Sequence, residues 1–143
     1  MKLYQALKEK NKLVGDLNKL WKKVSSNNSV MVGNTPDYDV KELLQQINTK
    51  TDALVSLKTS INTANHPIQK DIFELAELKS KLAKYTAIDT RNGKHSISYR
   101  EDVMAEFVAT ITVQNVDAMI VHFTDKIDRL QEILDNYNHK TDI

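Results

Sequence analysis

Apolar residues recur at alternating three- and four-residue steps through four stretches of the chain, a period that holds side chains on one face of a helix but not of a strand. The last stretch is the clearest, with Val113, Val116, Ile120, Phe123, Ile127, Leu130, Leu134 and Tyr137 forming a heptad seam. The pattern predicts helix one over about 2–25, with Leu3, Leu7, Val14, Leu17, Trp21 and Val24 on its seam, Leu13 and Leu20 widening it and Lys10 breaking it. Helix two is expected over about 37–64, with Val40, Leu43, Ile47, Leu54, Leu57 and Ile61 around a polar break at Lys50. Helix three, over about 67–88, carries Ile72, Leu75, Leu78, Leu82 and Tyr85, and its early turns hold Asp71, Glu74 and Glu77, where carboxylates meet the positive end of a helix. Helix four is expected over about 113–138.

The breaks between these seams are sharp. Ser25-Ser26-Asn27-Asn28-Ser29 favours turns over helix interior and opens a loop through Gly33-Asn34-Thr35, after which Thr35 or Asp37 is the expected cap of a helix starting at Pro36. Asn65-His66-Pro67 separates helices two and three. Residues 89–112 differ in kind: Asn92-Gly93 is a strong hairpin-turn signal and Phe107 to Val113 alternates, so a small β element is expected there, with Thr110 or Thr112 capping helix four. The fold class that follows is mainly α: long antiparallel helical hairpins, bundle- or coiled-coil-like, with a β-hairpin insertion before the last helix, in one domain over 1–143. A loop of about a dozen residues makes helices one and two neighbours. The residue numbers of facing pairs then sum to about 64, placing Trp21 against Leu43, Leu17 against Ile47 and Leu7 against Leu57. Lys10 and Lys50 interrupt that seam, and their heads are expected to reach carboxylates of helix three or four or of another subunit, because a buried ammonium is costly unless paired.

Composition narrows the function classes. Three glycines and two prolines leave little turn material for a sandwich or barrel. A formal net charge of +1 offers no global attraction to nucleic acid or anionic lipid, so neither nucleic-acid binding nor stable membrane association is expected. Cysteine is absent, which removes disulfides and thiolate chemistry. The opening residues lack the apolar core of a signal peptide, and no run approaches a membrane span, so the expected location is cytoplasmic. Charge is uneven, however. Residues 1–30 carry Lys2, Lys8, Lys10, Lys12, Lys19, Lys22 and Lys23 against Glu9 and Asp16, a balance of +5, leaving −4 elsewhere. Most of these lysines fall opposite the seam, as the solvated side of an amphipathic helix does, and the negative balance elsewhere equally suits subunit contacts.

No signature of catalysis emerges. The residues three before His66, His95, His122 and His139 are Thr63, Asn92, Met119 and Asn136, so the Glu-x-x-His pairs of a ferritin-like di-metal bundle are missing, and no His-x-x-x-His pair exists. Neither a metal nor a cofactor is expected. The glycines are too scattered for a phosphate loop. The candidate binding set is Asn62, Asn65, His66, Arg91, Arg100 and Thr110, polar side chains at helix ends and in the insertion, for which capping and turn formation are the commoner roles.

Several tracts resemble a small, mostly uncharacterised bacterial family that carries the name septicolysin. They are Met1-Lys2-Leu3-Tyr4-Gln5-Ala6-Leu7, Val32-Gly33-Asn34-Thr35-Pro36 with Glu42-Leu43-Leu44, Ile61-Asn62-Thr63-Ala64-Asn65, and Phe107-Val108-Ala109-Thr110-Ile111-Thr112-Val113. The resemblance implies an all-helical chain of long hairpins with a short β insertion, assembling as a homo-oligomer, a dimer or higher and up to a hexamer. It implies no established reaction, and the name suggests a membrane-active cytolysin. The favoured expectation is a non-enzymatic, self-assembling scaffold or partner-binding protein. The alternatives are a small-ligand protein or enzyme with its site in the 89–112 insertion, and the cytolysin.

Overall fold

The structure, a computed structural model, describes residues 1–97, 99 and 103–143. Four α-helices, α1 (Leu3–Asn27), α2 (Val40–Asn65), α3 (Gln69–Thr86) and α4 (Val113–Lys140), are joined by a 3-10 turn at His66–Ile68 and by a two-stranded antiparallel hairpin, β1 (Gly93–Ser96) and β2 (Met104–Phe107), set before α4. The mainly helical fold class expected from the sequence is therefore the one found. The chain forms two compact units, Met1–Pro67 with Asn136–Ile143, and Ile68–Asp135. Among the described residues no helix is long and apolar enough to cross a membrane.

The first unit is the α1–α2 hairpin. Leu13, Leu17, Leu20, Leu43, Ile47 and Leu54 make one buried cluster, and Leu3, Ala6 and Ile61 a second, with Leu7, Leu57 and Tyr137 packed against it. Leu20 and Leu43 at one end and Leu3 and Ile61 at the other fix the antiparallel sense. Leu17 with Ile47, and Leu7 with Leu57, share clusters as the facing scheme requires. Trp21 does not: it is 52% exposed, and Val14 is exposed too. Beyond the first turns the seam of α1 is rotated from the expected one, taking in Leu13 and Leu20 in place of Val14 and Trp21, while Ala6 is buried with Leu7 packed beside it. Both sets are apolar at heptad spacing, and one partner helix covers only two columns of them.

Lys50 resolves its place on this seam within the hairpin. Its Nζ lies 3.4 Å from Oδ2 of Asp16 on α1, with both side chains half-buried, so its partner is on helix one and not on helix three or four. The four-carbon stem covers the seam and the head leaves by the nearest polar edge. The chain ends also meet. Leu3 N–H donates to Thr141 O (2.8 Å), Ile143 N–H to Met1 O (2.9 Å), Lys2 Nζ to Asp142 Oδ2 (2.8 Å), and Tyr137 Oη–H to Ala64 O (2.8 Å). These bonds enclose Leu3, which has no exposed surface.

Local chemistry sets the boundaries. The loop after α1 turns at Gly33, whose φ of 94° suits glycine, and Asn27 Oδ1 accepts from Asp37 N–H at 3.0 Å. The cap of α2 is Asp39, whose Oδ1 accepts from Lys41 N–H at 2.9 Å, so neither Thr35 nor Asp37 caps it and the helix starts three residues later than expected. Thr112 caps α4: its Oγ1 accepts from Asn115 N–H (3.2 Å) while Asn115 Oδ1 accepts from Thr112 N–H (3.1 Å). That reciprocal pair is a capping box with Asn in the place of Glu.

In the second unit, α3 buries Leu75 and Leu78 and α4 buries Val116, Phe123 and Leu134. Tyr85 meets Phe123 edge-on at 5.0 Å, and Lys81 Nζ stands 5.5 Å from the same ring. Val113, counted on the seam from sequence, is exposed at the first turn of α4. The hairpin pairs Gly93 with Phe107, Lys94 with Glu106, His95 with Ala105 and Ser96 with Met104, and Ile97 N–H donates to Val103 O at 3.0 Å. Asn92-Gly93 therefore leads into β1 and is not the turn of the hairpin, and the alternating tract 108–112 is irregular. Gly93, with φ of 85°, instead bends the chain into β1.

The rotated seam yields a stability prediction. Ile47→Ala or Leu17→Ala should cost about 2–4 kcal/mol in denaturant unfolding, since each empties a buried site. Trp21→Ala should cost under about 1 kcal/mol. A Trp21 penalty equal to that of Ile47 would restore the seam first read from the sequence.

Candidate functional site

The best-defined polar groove lies at the foot of the hairpin. After α3 ends at Thr86, Asp89 folds back on Arg91: its Oδ1 accepts from Arg91 N–H at 3.0 Å, and its two oxygens take Arg91 Nε (3.0 Å) and Nη2 (2.7 Å). The first bond is an Asx turn and the others are a fork-to-fork pair. Arg91 also lays its guanidinium 4.0 Å from the centre of the Phe107 ring, which His95 meets edge-on at 6.1 Å. Asn92 Oδ1 accepts from Ala109 N–H at 3.2 Å, and His95 Nε2 is 2.9 Å from Asn92 O, a contact that needs the proton on Nε2. Asp89, Arg91, Asn92 and His95, together with Ile88, Thr112 and Gln114, line a groove of about 610 Å³.

Its electrostatics are internally balanced. The Arg91 side-chain hydrogen bonds, then its backbone N–H, hold the Asp89 carboxyl down to about 2, and the same pairing raises Arg91. The guanidinium that would recognise an anionic ligand already holds a carboxylate and an aromatic face. Among the described residues no three His, Asp or Glu side chains come together as a metal site. A larger groove of about 760 Å³ is walled only by residues of the first twelve, Tyr4, Lys8 and Lys12 among them, and is the surface of a single helix.

The sequence-derived candidates scatter. Asn62 is exposed on α2, Asn65 is half-buried at its last residue, and His66 is the exposed C-cap, its N–H donating to Thr63 O. All three belong to the first unit. Arg91 lines the hairpin groove in the second unit, while Thr110 is exposed between β2 and α4 and does not line it. Arg100 lies outside the described residues. Asp89, Asn92, His95 and Thr112 were missing from the set. Asp89 was legible as an acid two residues before an Arg in a turn-rich tract, and Thr112 as a cap.

The groove predicts a titration. Because its folded pKa is depressed, Asp89 contributes stability that is present above its ordinary value near 4 and is lost as pH falls toward about 2. Carboxyl NMR should give Asp89 a midpoint near 2, returning to the usual range in Arg91→Ala. A midpoint unmoved by that substitution would place the cause elsewhere.

No curated protein and no solved structure matches the chain. Residues 10–143, nearly the whole length, match one family, and the protein accordingly belongs to the family of unknown function DUF6847.

Proposed function

We propose that the chain is a non-enzymatic helical protein that self-assembles, serving as a scaffold or partner-binding module. The observation that carries this reading is the uncovered column beside the α1 seam. Val14 and Trp21 lie one heptad apart on α1, Leu44 and Val55 near one column of α2, and all four are exposed. In an antiparallel pair, the columns that follow the seam on the two helices fall on the same side, so these residues share one face of the hairpin. Apolar surface of that kind on a folded chain is commonly an interaction surface. A face that meets its own copy gives a two-fold contact. The balanced polar groove gives an enzymatic reading no comparable support.

The cysteine-free composition suits a cytoplasmic setting. The resemblance to the septicolysin family would add membrane activity, which leakage of dye from anionic liposomes tests directly.

Trp21, the single tryptophan, makes assembly measurable. At micromolar concentration light scattering should give a mass above 16.3 kDa, and tryptophan emission should shift to the blue as concentration rises. Trp21→Glu should lower the mass with helical circular dichroism intact. A mass of 16.3 kDa with emission independent of concentration would remove the reading.

A further inference from the structure

The outer faces of α1 and α4 are segregated by sign. On α1, Lys8, Lys12, Lys19 and Lys22 lie within about a third of the helix circumference, opposite Leu13, Leu17 and Leu20, and all four are exposed. On α4, Asp117, Asp125, Asp128 and Glu132 lie in a similar arc, away from Val116, Phe123 and Leu134, and are exposed as well. Among the described residues no ion pair joins any of these eight side chains. At 1.5 Å per residue the lysine row runs about 21 Å and the carboxylate row about 22 Å.

Within each row like charges stand at helical spacing, offset in part by Glu9 and Asp16 on α1 and by Arg129 on α4. Lys8 and Lys12, Lys19 and Lys22, Asp125 and Asp128, and Asp128 and Glu132 stand three or four residues apart, where like charges repel and opposite charges would have helped. Glu9 and Asp16 border the lysine row, but Asp16 is already engaged by Lys50; Lys126 and Arg129 lie to one side of the carboxylate row. A solvated face has no need of one sign. Two rows of opposite sign and matching length in a single sequence do find a use when one copy meets another.

Resting on the self-assembly reading above, we propose that the lysine row of α1 docks on the carboxylate row of α4 of a second copy of this chain. The contact joins two different surfaces, so copies either exchange it twice about a two-fold axis or pass it around a closed ring. It supplies register and partner choice, while the apolar face of the hairpin supplies contact area.

Light scattering on the full chain tests it, in about 0.1 M and about 1 M salt, because exposed charge pairs are screened over that range while apolar contacts are not. The wild-type mass should fall at high salt, with an association constant at least about tenfold lower. A chain carrying Lys8→Glu, Lys12→Glu, Lys19→Glu and Lys22→Glu, and another carrying Asp117→Lys, Asp125→Lys, Asp128→Lys and Glu132→Lys, should each show the wild-type high-salt mass in low salt. Mixing the two should restore the larger species. If either loses helix by circular dichroism, the neutral versions (Lys→Gln, Asp→Asn, Glu→Gln at the same positions) should lose the salt dependence. An assembly insensitive to salt, or reversed chains that do not recover on mixing, overturns the proposed contact and leaves self-assembly standing. Loss of the salt-sensitive species on lysine reversal alone overturns it in favour of a different acidic partner. A mass of 16.3 kDa in both salts for the wild type overturns the self-assembly reading itself.

Discussion

The structure of the first unit depends on a mismatch of widths: the apolar stripe of α1 is three columns broad, and α2 covers two of them. Leu3, Leu17 and Val24 form the column both registers share. Beyond the first turns the hairpin must then choose between Leu13, Leu20 and Val14, Trp21, and it takes the first pair. Leucines at adjoining positions interdigitate with Leu43, Ile47 and Leu54, whereas an indole at position 21 would force the helices apart near the loop. The rejected column is what leaves Val14 and Trp21 exposed.

Lys50 belongs to the same constraint. With Ala6, Leu13 and Leu20 turned inward, Asp16 comes to the edge where the Lys50 ammonium emerges, and the pair forms at 3.4 Å across the hairpin. A partly solvated pair of this kind adds little to stability. A slide of α2 by one heptad would set Lys50 beside Glu9 in one direction and beside Lys23 in the other, since these stand seven residues to either side of Asp16.

How much of this was legible follows from the same physics. Helices were readable because their seams are periodic and their breaks are rich in Asn, Ser, Gly and Pro, and all four were found within three residues of the expected limits. Rotation about the α1 axis was not, because periodicity says which residues share a stripe and not which half of a wide stripe a neighbour takes. The hairpin was foreseen and its turn misplaced: Asn92-Gly93 has the right dihedral preference, but a glycine at positive φ serves equally to bend a chain into a strand. The capping of α2 fell to Asp39 in place of Thr35 or Asp37, since several side chains able to cap stand within five residues and only geometry decides.

The candidate site shows why polar residues are weaker guides than apolar ones. A two-stranded ribbon of four residues a side is marginal by itself, and it persists here because polar side chains at its foot brace it. Asp89 locks Arg91 into a turn, Arg91 then covers Phe107, Asn92 ties the incoming strand to Ala109, and Thr112 starts the helix that follows. Each of these groups, seen singly in a sequence, has the chemistry of a ligand contact. Each has spent that chemistry on the backbone or on a neighbour. The depressed Asp89 and raised Arg91 follow from that pairing, which holds the chain in the turn that leads into β1.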